Sequence, residues 1–196
     1  MKKVILFVLL FPLAFSVAAQ IKIVEDFEGS SKLNWTEYAD KTMSTIVKNG
    51  TLDLEVLSKD VLAIWCDTDL PIMPEQDFKI TAKLLVPKID DENKFGIIID
   101  RDQDFNRLAF LFKEDKFMAY QFCSGDIKSV GESIRIKLPG GKNQRIEVVL
   151  ERKGGSFIIS YNNIEIYKWK RPFYSPNFSF YTTSHLIVEE MVLEQY

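Results

Sequence analysis

The chain has 196 residues, with 25 Lys+Arg against 28 Asp+Glu, a single histidine and a net charge of −3. That is one domain's worth of sequence, long enough to bury a sizeable core. The absence of a basic surplus or basic run argues against a nucleic-acid partner, and one histidine with no C-x-x-C spacing argues against a zinc centre.

The N-terminus reads MKKVILFVLLFPLAFSVAAQ. Lys2 and Lys3 precede an apolar stretch from Val4 to Phe15, and Val17-Ala18-Ala19 supplies small residues for signal peptidase. This predicts a bacterial-type signal peptide over residues 1–19, cleavage before Gln20, and an exported domain over 20–196, either periplasmic or extracellular. The apolar stretch falls short of the ~20 residues that span a bilayer, and no second one follows, so no membrane span is expected in the mature chain.

After Gln20 nearly every segment reads as strand. TLDLEVL alternates with Leu52, Leu54 and Val56 on one face, DFKITAKLLV with Phe78, Ile80, Ala82 and Leu84, and QRIEVVLER with Ile146, Val148 and Leu150. The helix-like exception is SSKLNWTEYADK, where Ser30 or Ser31 could cap a short turn. SFIISY and IEIYKW flank Asn162-Asn163, a pair suited to a two-residue hairpin turn. FSFYTT and LIVEEMVLEQY close the chain. About a dozen consecutive strands without helices predict a two-sheet antiparallel β-sandwich. Cys66 and Cys123 both sit in strand-like runs, and an exported protein either pairs them or buries two separate thiols.

The order of segments resembles the concanavalin A-like (laminin-G-like) jelly rolls. VEDFEGSSKLNWTEY resembles their opening, VKNGTLDLEV their next hairpin, and FGIIIDRDQDFNRLAFLFKEDKFMAYQF their central meander. NQRIEVVLERKGGSFIISYNNIEIYKW and FSFYTTSHLIVEEMVLEQ resemble the later hairpin and the closing pair. The resemblance spans nearly all of residues 20–196 and implies an all-β jelly roll. It leaves function open, since the superfamily holds lectins, glycan-binding modules, glycoside hydrolases and adhesion domains.

Retaining glycosidases of this fold carry E-x-D-x-x-E on one strand, because alternation brings two carboxyls to about 5 Å on one face. The chain lacks that pattern. In VEEMVLEQY, Glu189 and Glu190 are expected to face opposite ways, and Glu147 and Glu151 fit the solvated side of a strand. His185, in TTSHLIV, reads as a surface turn residue. DRDQDFN is either a turn, which Asp and Asn favour, or a calcium site formed by Asp100, Asp102, Asp104 and Asn106. The EF-hand pattern fails there, since Phe105 stands at the sixth position and Leu111 at the twelfth.

Aromatic residues give the one hint of a ligand. In RLAFLF, Leu108, Phe110 and Phe112 oppose Arg107, Ala109 and Leu111, and in KFMAYQFC, Met118, Tyr120 and Phe122 oppose Phe117, Ala119, Gln121 and Cys123. Both faces are largely apolar, so these strands are either buried on both sides or line an aromatic groove. Sugar rings stack on such surfaces while polar groups fix their hydroxyls, which makes Trp65, Arg107, Tyr120 and Gln121 the candidate ligand-binding residues. Trp169 in KWKRPFY is a second aromatic-basic cluster, expected to pack as a loop against the sandwich edge. The expected function is glycan binding without catalysis. Two alternatives are a glycoside-processing enzyme with carboxylates from separate strands, such as Asp67 or Asp69 with Asp102 or Asp104, and an envelope protein-interaction module with no sugar site.

Overall fold

A computed structural model describes residues 20–101, 106–123, 126–131 and 133–196. The segment expected to be a signal peptide lies outside them. The described residues form sixteen strands and no helix. In chain order they are β1 (Ile21–Glu25), β2 (Tyr38–Ala39), β3 (Met43–Lys48), β4 (Thr51–Val56), β5 (Ile64–Asp69), β6 (Phe78–Ile89), β7 (Phe95–Ile99) and β8 (Arg107–Lys113). Then come β9 (Lys116–Cys123), β10 (Asp126–Ser129), β11 (Ile134–Arg135), β12 (Gly141–Lys153), β13 (Ser156–Tyr161), β14 (Ile164–Lys170), β15 (Asn177–Thr182) and β16 (His185–Gln195).

All pairings are antiparallel. One sheet runs β14-β13-β12-β6-β16-β4-β3-β2, with β1 also on β16, and the other runs β10-β9-β8-β7-β15-β5, with β11 also on β9. The two pack face to face, as the alternation predicts. Phe78, Ile80, Ala82, Leu84 and Val86 of β6 are buried, and they share one core with Phe110 and Phe112 of β8 and Phe178 and Phe180 of β15. Aromatic contacts cross between the sheets: Phe110 meets Phe157 at 6.2 Å and Phe112 meets Tyr161 at 6.0 Å between ring centroids. Truncating one such ring costs about 3–5 kcal/mol.

One turn follows the predicted chemistry. Asn162 and Asn163 both take left-handed backbone (φ 45 and 66) between β13 and β14. β7 and β8 pair antiparallel, and residues 102–105 of the acidic stretch between them lie outside the described residues. The segment after β1 forms no helix. The buried Glu25 carboxylate accepts N–H groups from Phe27, Lys32 and Leu33 at 2.8–3.2 Å and the Ser31 hydroxyl at 2.7 Å. One buried carboxylate thereby shapes this loop in place of a helical ladder.

Two expectations need correction. Glu189 and Glu190 do not face opposite ways, because a β-bulge falls between Val188 and Glu190 in the pairing of β16 with β6. Core positions on β16 switch there from Leu186 and Val188 to Met191 and Leu193. Both glutamates therefore reach the outer face, Glu189 to Arg145 at 2.8 Å and Glu190 to Lys83 at 2.8 Å. His185 is not a turn residue. It opens β16, half-buried, with Nε2 2.8 Å from an Asp53 oxygen, and Asp53 also pairs with Lys48 at 2.8 Å.

The cysteines are two separate thiols. Cys66 on β5 and Cys123 on β9 have β15, β7 and β8 between them, a separation of about 19 Å at the usual strand spacing. A disulfide requires Cα atoms within about 7 Å. Burial pushes the Cys66 thiol up to about 12.

Candidate functional site

The outer face of the smaller sheet is built by alternation. Residues paired across strands point the same way, so Trp65, Tyr181, Gly96, Leu111 and Met118 form one row across β5, β15, β7, β8 and β9. Asp67, Ser179, Ile98, Ala109 and Tyr120 form the next. The face has its own small apolar cluster: Ile98, Ala109 and Leu111 are buried beneath Met118, Tyr120, Phe122 and Tyr181. The rings of Phe122 on β9 and Tyr181 on β15 come within 6.5 Å although two strands separate them. The sheet therefore curls, and this face is concave. Burial raises the Tyr181 phenol above its ordinary value, with Tyr120 adding to the shift.

A groove of about 1200 Å³ runs along this face near β5. Ile98, Arg107, Phe122 and Tyr181 contribute its floor. The β4–β5 connection supplies one wall, through Leu57, Lys59, Leu62 and the first turn of chain into Trp65. Glu92, Lys94, Thr183 and Ser184 also line it, with the Ser184 carbonyl accepting the Val56 N–H at 2.7 Å beside that connection. Trp65 is 51% exposed, Leu57 51% and Leu62 87%. Large apolar side chains held in water at a groove wall are an uncommon cost for a folded chain and mark a surface that another molecule can cover.

Polar groups in the groove are fixed in advance. Arg107 donates from both terminal nitrogens to the two Asp67 oxygens, at 3.1 and 3.4 Å, and the Ser179 hydroxyl donates to the same carboxylate. The forked pairing of guanidinium and carboxylate holds the Arg107 plane. Its remaining N–H edge, together with the Ser184 hydroxyl, can bond a ligand's oxygens.

Of the residues predicted to bind ligand, Trp65 and Arg107 line the groove and Tyr120 shares its face. The Tyr120 hydroxyl donates to the Met118 sulfur at 3.1 Å. Gln121 does not join them. It pairs with Leu108 and so points to the other side of β9.

Of the predicted calcium ligands, Asp102 and Asp104 lie outside the described residues. Asp100 is fully buried. It pairs with Arg171 at 3.0 Å and accepts the N–H groups of Tyr174 and Ser175 at 2.6 and 3.2 Å. Those contacts give Asp100 a structural task. Among the described residues, no three His, Cys, Asp or Glu side chains cluster as a metal site. Trp169 lies on edge strand β14, with the Arg171 guanidinium over its ring at 5.2 Å and over the Tyr174 ring at 5.6 Å.

Leu57, Lys59, Leu62, Lys94 and Tyr181 are among the groove residues not foreseen from sequence. Tyr181 had a readable signal, since it alternates with Phe178 and Phe180 on FSFYTT. The others lie in connections without a period.

No protein-family model matches the chain, and no curated protein matches it. Solved structures do. A Bacillus subtilis protein of unknown function with a galectin-like fold superposes with a TM-score of 0.62 at 10% identity, covering 88% of this chain and 94% of that one. Bacillus licheniformis β-glucanase gives 0.61 at 7% identity, with 89% and 97% covered. The catalytic domain of an endo-1,3-β-glucanase (laminarinase) from Thermotoga petrophila gives 0.60 at 9%, with 88% and 96% covered. The chain has the concanavalin A-like jelly-roll fold. Among the described residues no helix is long and apolar enough to cross a membrane.

Proposed function

We propose that this chain is an exported, non-catalytic glycan-binding domain that holds its ligand in the groove over the concave face of the smaller sheet. The observation that carries the reading is the half-exposed Trp65 indole at the wall of that groove, beside a guanidinium already oriented by Asp67. A flat apolar ring and fixed hydrogen-bonding groups are the two elements that sugar recognition combines. The fold is consistent with this, since glucanases share it, although fold alone does not assign a ligand.

The non-catalytic part of the reading rests on Asp67. Glycoside hydrolysis uses two carboxyls facing one cleft, one of them free to deliver a proton. Asp67 is instead engaged by Arg107 and Ser179, and Glu92 is the carboxylate on the groove rim among the described residues.

The test is a glycan array with the secreted protein, followed by titration calorimetry on the hits. Trp65→Ala should weaken binding about tenfold or more, which is about 1.4 kcal/mol, and shift stability by less than about 1 kcal/mol because the ring is half in water. Incubation with the bound oligosaccharide should release no shorter products. If the array is blank, or if Trp65→Ala binds like the parent, the reading fails. Chain cleavage would replace it with the enzyme.

A further inference from the structure

The chain carries a net charge of −3, yet its groove is rimmed by cations. Lys59, Lys94 and Arg107 line it against one carboxylate, Glu92, among the described residues. Arg107 is neutralised by Asp67 at 3.1 Å. Lys59 and Lys94 have no carboxylate within ion-pair distance among the described residues. They differ in this from Lys48 and Lys83 on the other sheet, which pair with Asp53 and Glu190.

The backbones under both lysines are pinned. Lys94 exchanges bonds with Thr183, its N–H donating to Oγ1 at 2.8 Å and its carbonyl accepting the Thr183 N–H at 2.9 Å. Lys59 sits in a tight turn where the Val61 N–H reaches the Ser58 carbonyl at 3.2 Å, and the Leu57 and Ser58 N–H groups reach the Thr42 carbonyl at 2.8 and 3.0 Å. Two lysines are thus rooted at the edges of a concave surface floored by Ile98, Phe122 and Tyr181. Low-dielectric walls focus their field into the groove.

We propose that the groove's ligand is an anionic glycan, a sugar chain bearing uronate carboxylates or sulfate esters, with its anions met by Lys59 and Lys94 and a pyranose ring on Trp65. This rests on the glycan reading above and names the ligand class within it. A neutral sugar would leave both ammonium groups unanswered, whereas an anionic sugar gains charge-assisted hydrogen bonds, roughly twice as strong as neutral ones. Glu92 on the same rim would repel an anion, so it sets the direction in which the charged groups lie.

The test titrates the secreted protein with matched pairs of probes: oligogalacturonate against its carboxyl-reduced form, and chondroitin sulfate against its desulfated form. One member of at least one pair should bind at least tenfold more tightly when charged, and that advantage should shrink as salt is raised from 50 to about 300 mM. The charge-removing variants Lys59→Gln and Lys94→Gln should each lose about threefold to tenfold for the charged probe and nothing for its neutral partner. Which pair responds separates carboxylate from sulfate recognition. If neutral and charged forms bind alike, or both variants bind the charged probe as the parent does, the inference falls while the glycan reading stands. If no member of either pair binds and the array yields only neutral sugars, the inference again falls alone. A blank array removes both.

Discussion

Gly96 has no room for a side chain. A Cβ there would stand 2.1 Å from the Phe110 carbonyl oxygen and 3.1 Å from the Leu111 Cα, both backbone atoms of β8 that cannot swing aside. Its φ of +157 adds to the strain for any L-residue. Gly96→Ala should therefore push β7 and β8 apart and lower stability by about 3 kcal/mol, measured by denaturant unfolding; a neutral result would mean the strands part at little cost. Cys66 makes a second residue-scale prediction. Its thiol is fully buried, with Sγ 3.1 Å from the Thr36 carbonyl, and its folded value is pushed up to about 12 from 9.0. Below pH 9 the thiol is protonated in both the folded and the unfolded chain, so it adds no pH dependence. Between about 9 and about 12 the unfolded chain releases this proton and the folded one keeps it, so stability falls as pH rises. Cys66→Ser should flatten that fall relative to the parent, and a thiol reagent at pH 8 should label Cys123 well before Cys66. At this scale the sequence misleads at Glu189. Leu186 and Val188 share a parity with each other and Met191 and Leu193 with each other, but a single bulged residue that joins the two sets has no local signature.

The hairpins were the most legible elements, because their turn residues and flanking alternation say the same thing. Asn162 and Asn163 both occupy left-handed backbone, and Asn162 ties the turn to its neighbour strand: its Oδ1 accepts the Glu147 N–H at 3.1 Å and its own N–H donates to the Glu147 carbonyl at 3.0 Å. Asn163 makes no comparable side-chain bond. Asn163→Gly should therefore leave the thermal midpoint unchanged or raise it slightly, as the Asn-Gly preference of this turn implies. Asn163→Val, which pays the full left-handed cost, should destabilise by about 1–2 kcal/mol. The reverse order of stability would show that this turn is held by β13 and β14 rather than by its own residues. Strand faces were legible for the same reason, and alternation alone put Arg107 with Ala109 and Leu111 and set Gln121 against Tyr120. The groove wall was not legible. LSKDVL joins β4 to β5 with apolar and charged residues in no period, and its exposed Leu57 and Leu62 look like core residues until the chain is folded. The Arg107–Asp67 pair spans β8 and β5 with two strands between, a contact that only the sheet order creates.

On the scale of the whole molecule, the two sheets must be joined wherever the chain leaves one for the other, and the β14–β15 crossover does this with a buried charge. The chain leaves the edge strand of the larger sheet at Lys170 and enters the smaller sheet at Asn177, between β7 and the edge strand β5. Between them Arg171 pairs with Asp100 at the end of β7, and Asp100 also accepts two backbone N–H groups of the crossover. Phe173 inserts into the core against Phe78 and Phe157, at 5.2 and 5.9 Å. Asp100 has φ 66, a conformation that asparagine tolerates as well as aspartate. Asp100→Asn therefore removes the charge without adding backbone strain, and it leaves the Arg171 guanidinium, whose side chain is 11% exposed, without its carboxylate. Breaking a buried pair by deleting one partner costs about 3–5 kcal/mol, so Asp100→Asn should lower stability by about that amount. Arg171→Met, which also forfeits the stacking on Trp169 and Tyr174, should cost at least as much. The double variant should cost less than the sum, because once either charge is gone the other gains from removal. Run with calcium and with chelator, the same measurements separate the two readings of the acidic turn. A parent and an Asp100→Asn variant whose midpoints ignore calcium fit a carboxylate that serves the crossover. A parent that gains stability with calcium, and a variant that loses the gain, would make Asp100 a metal ligand as well.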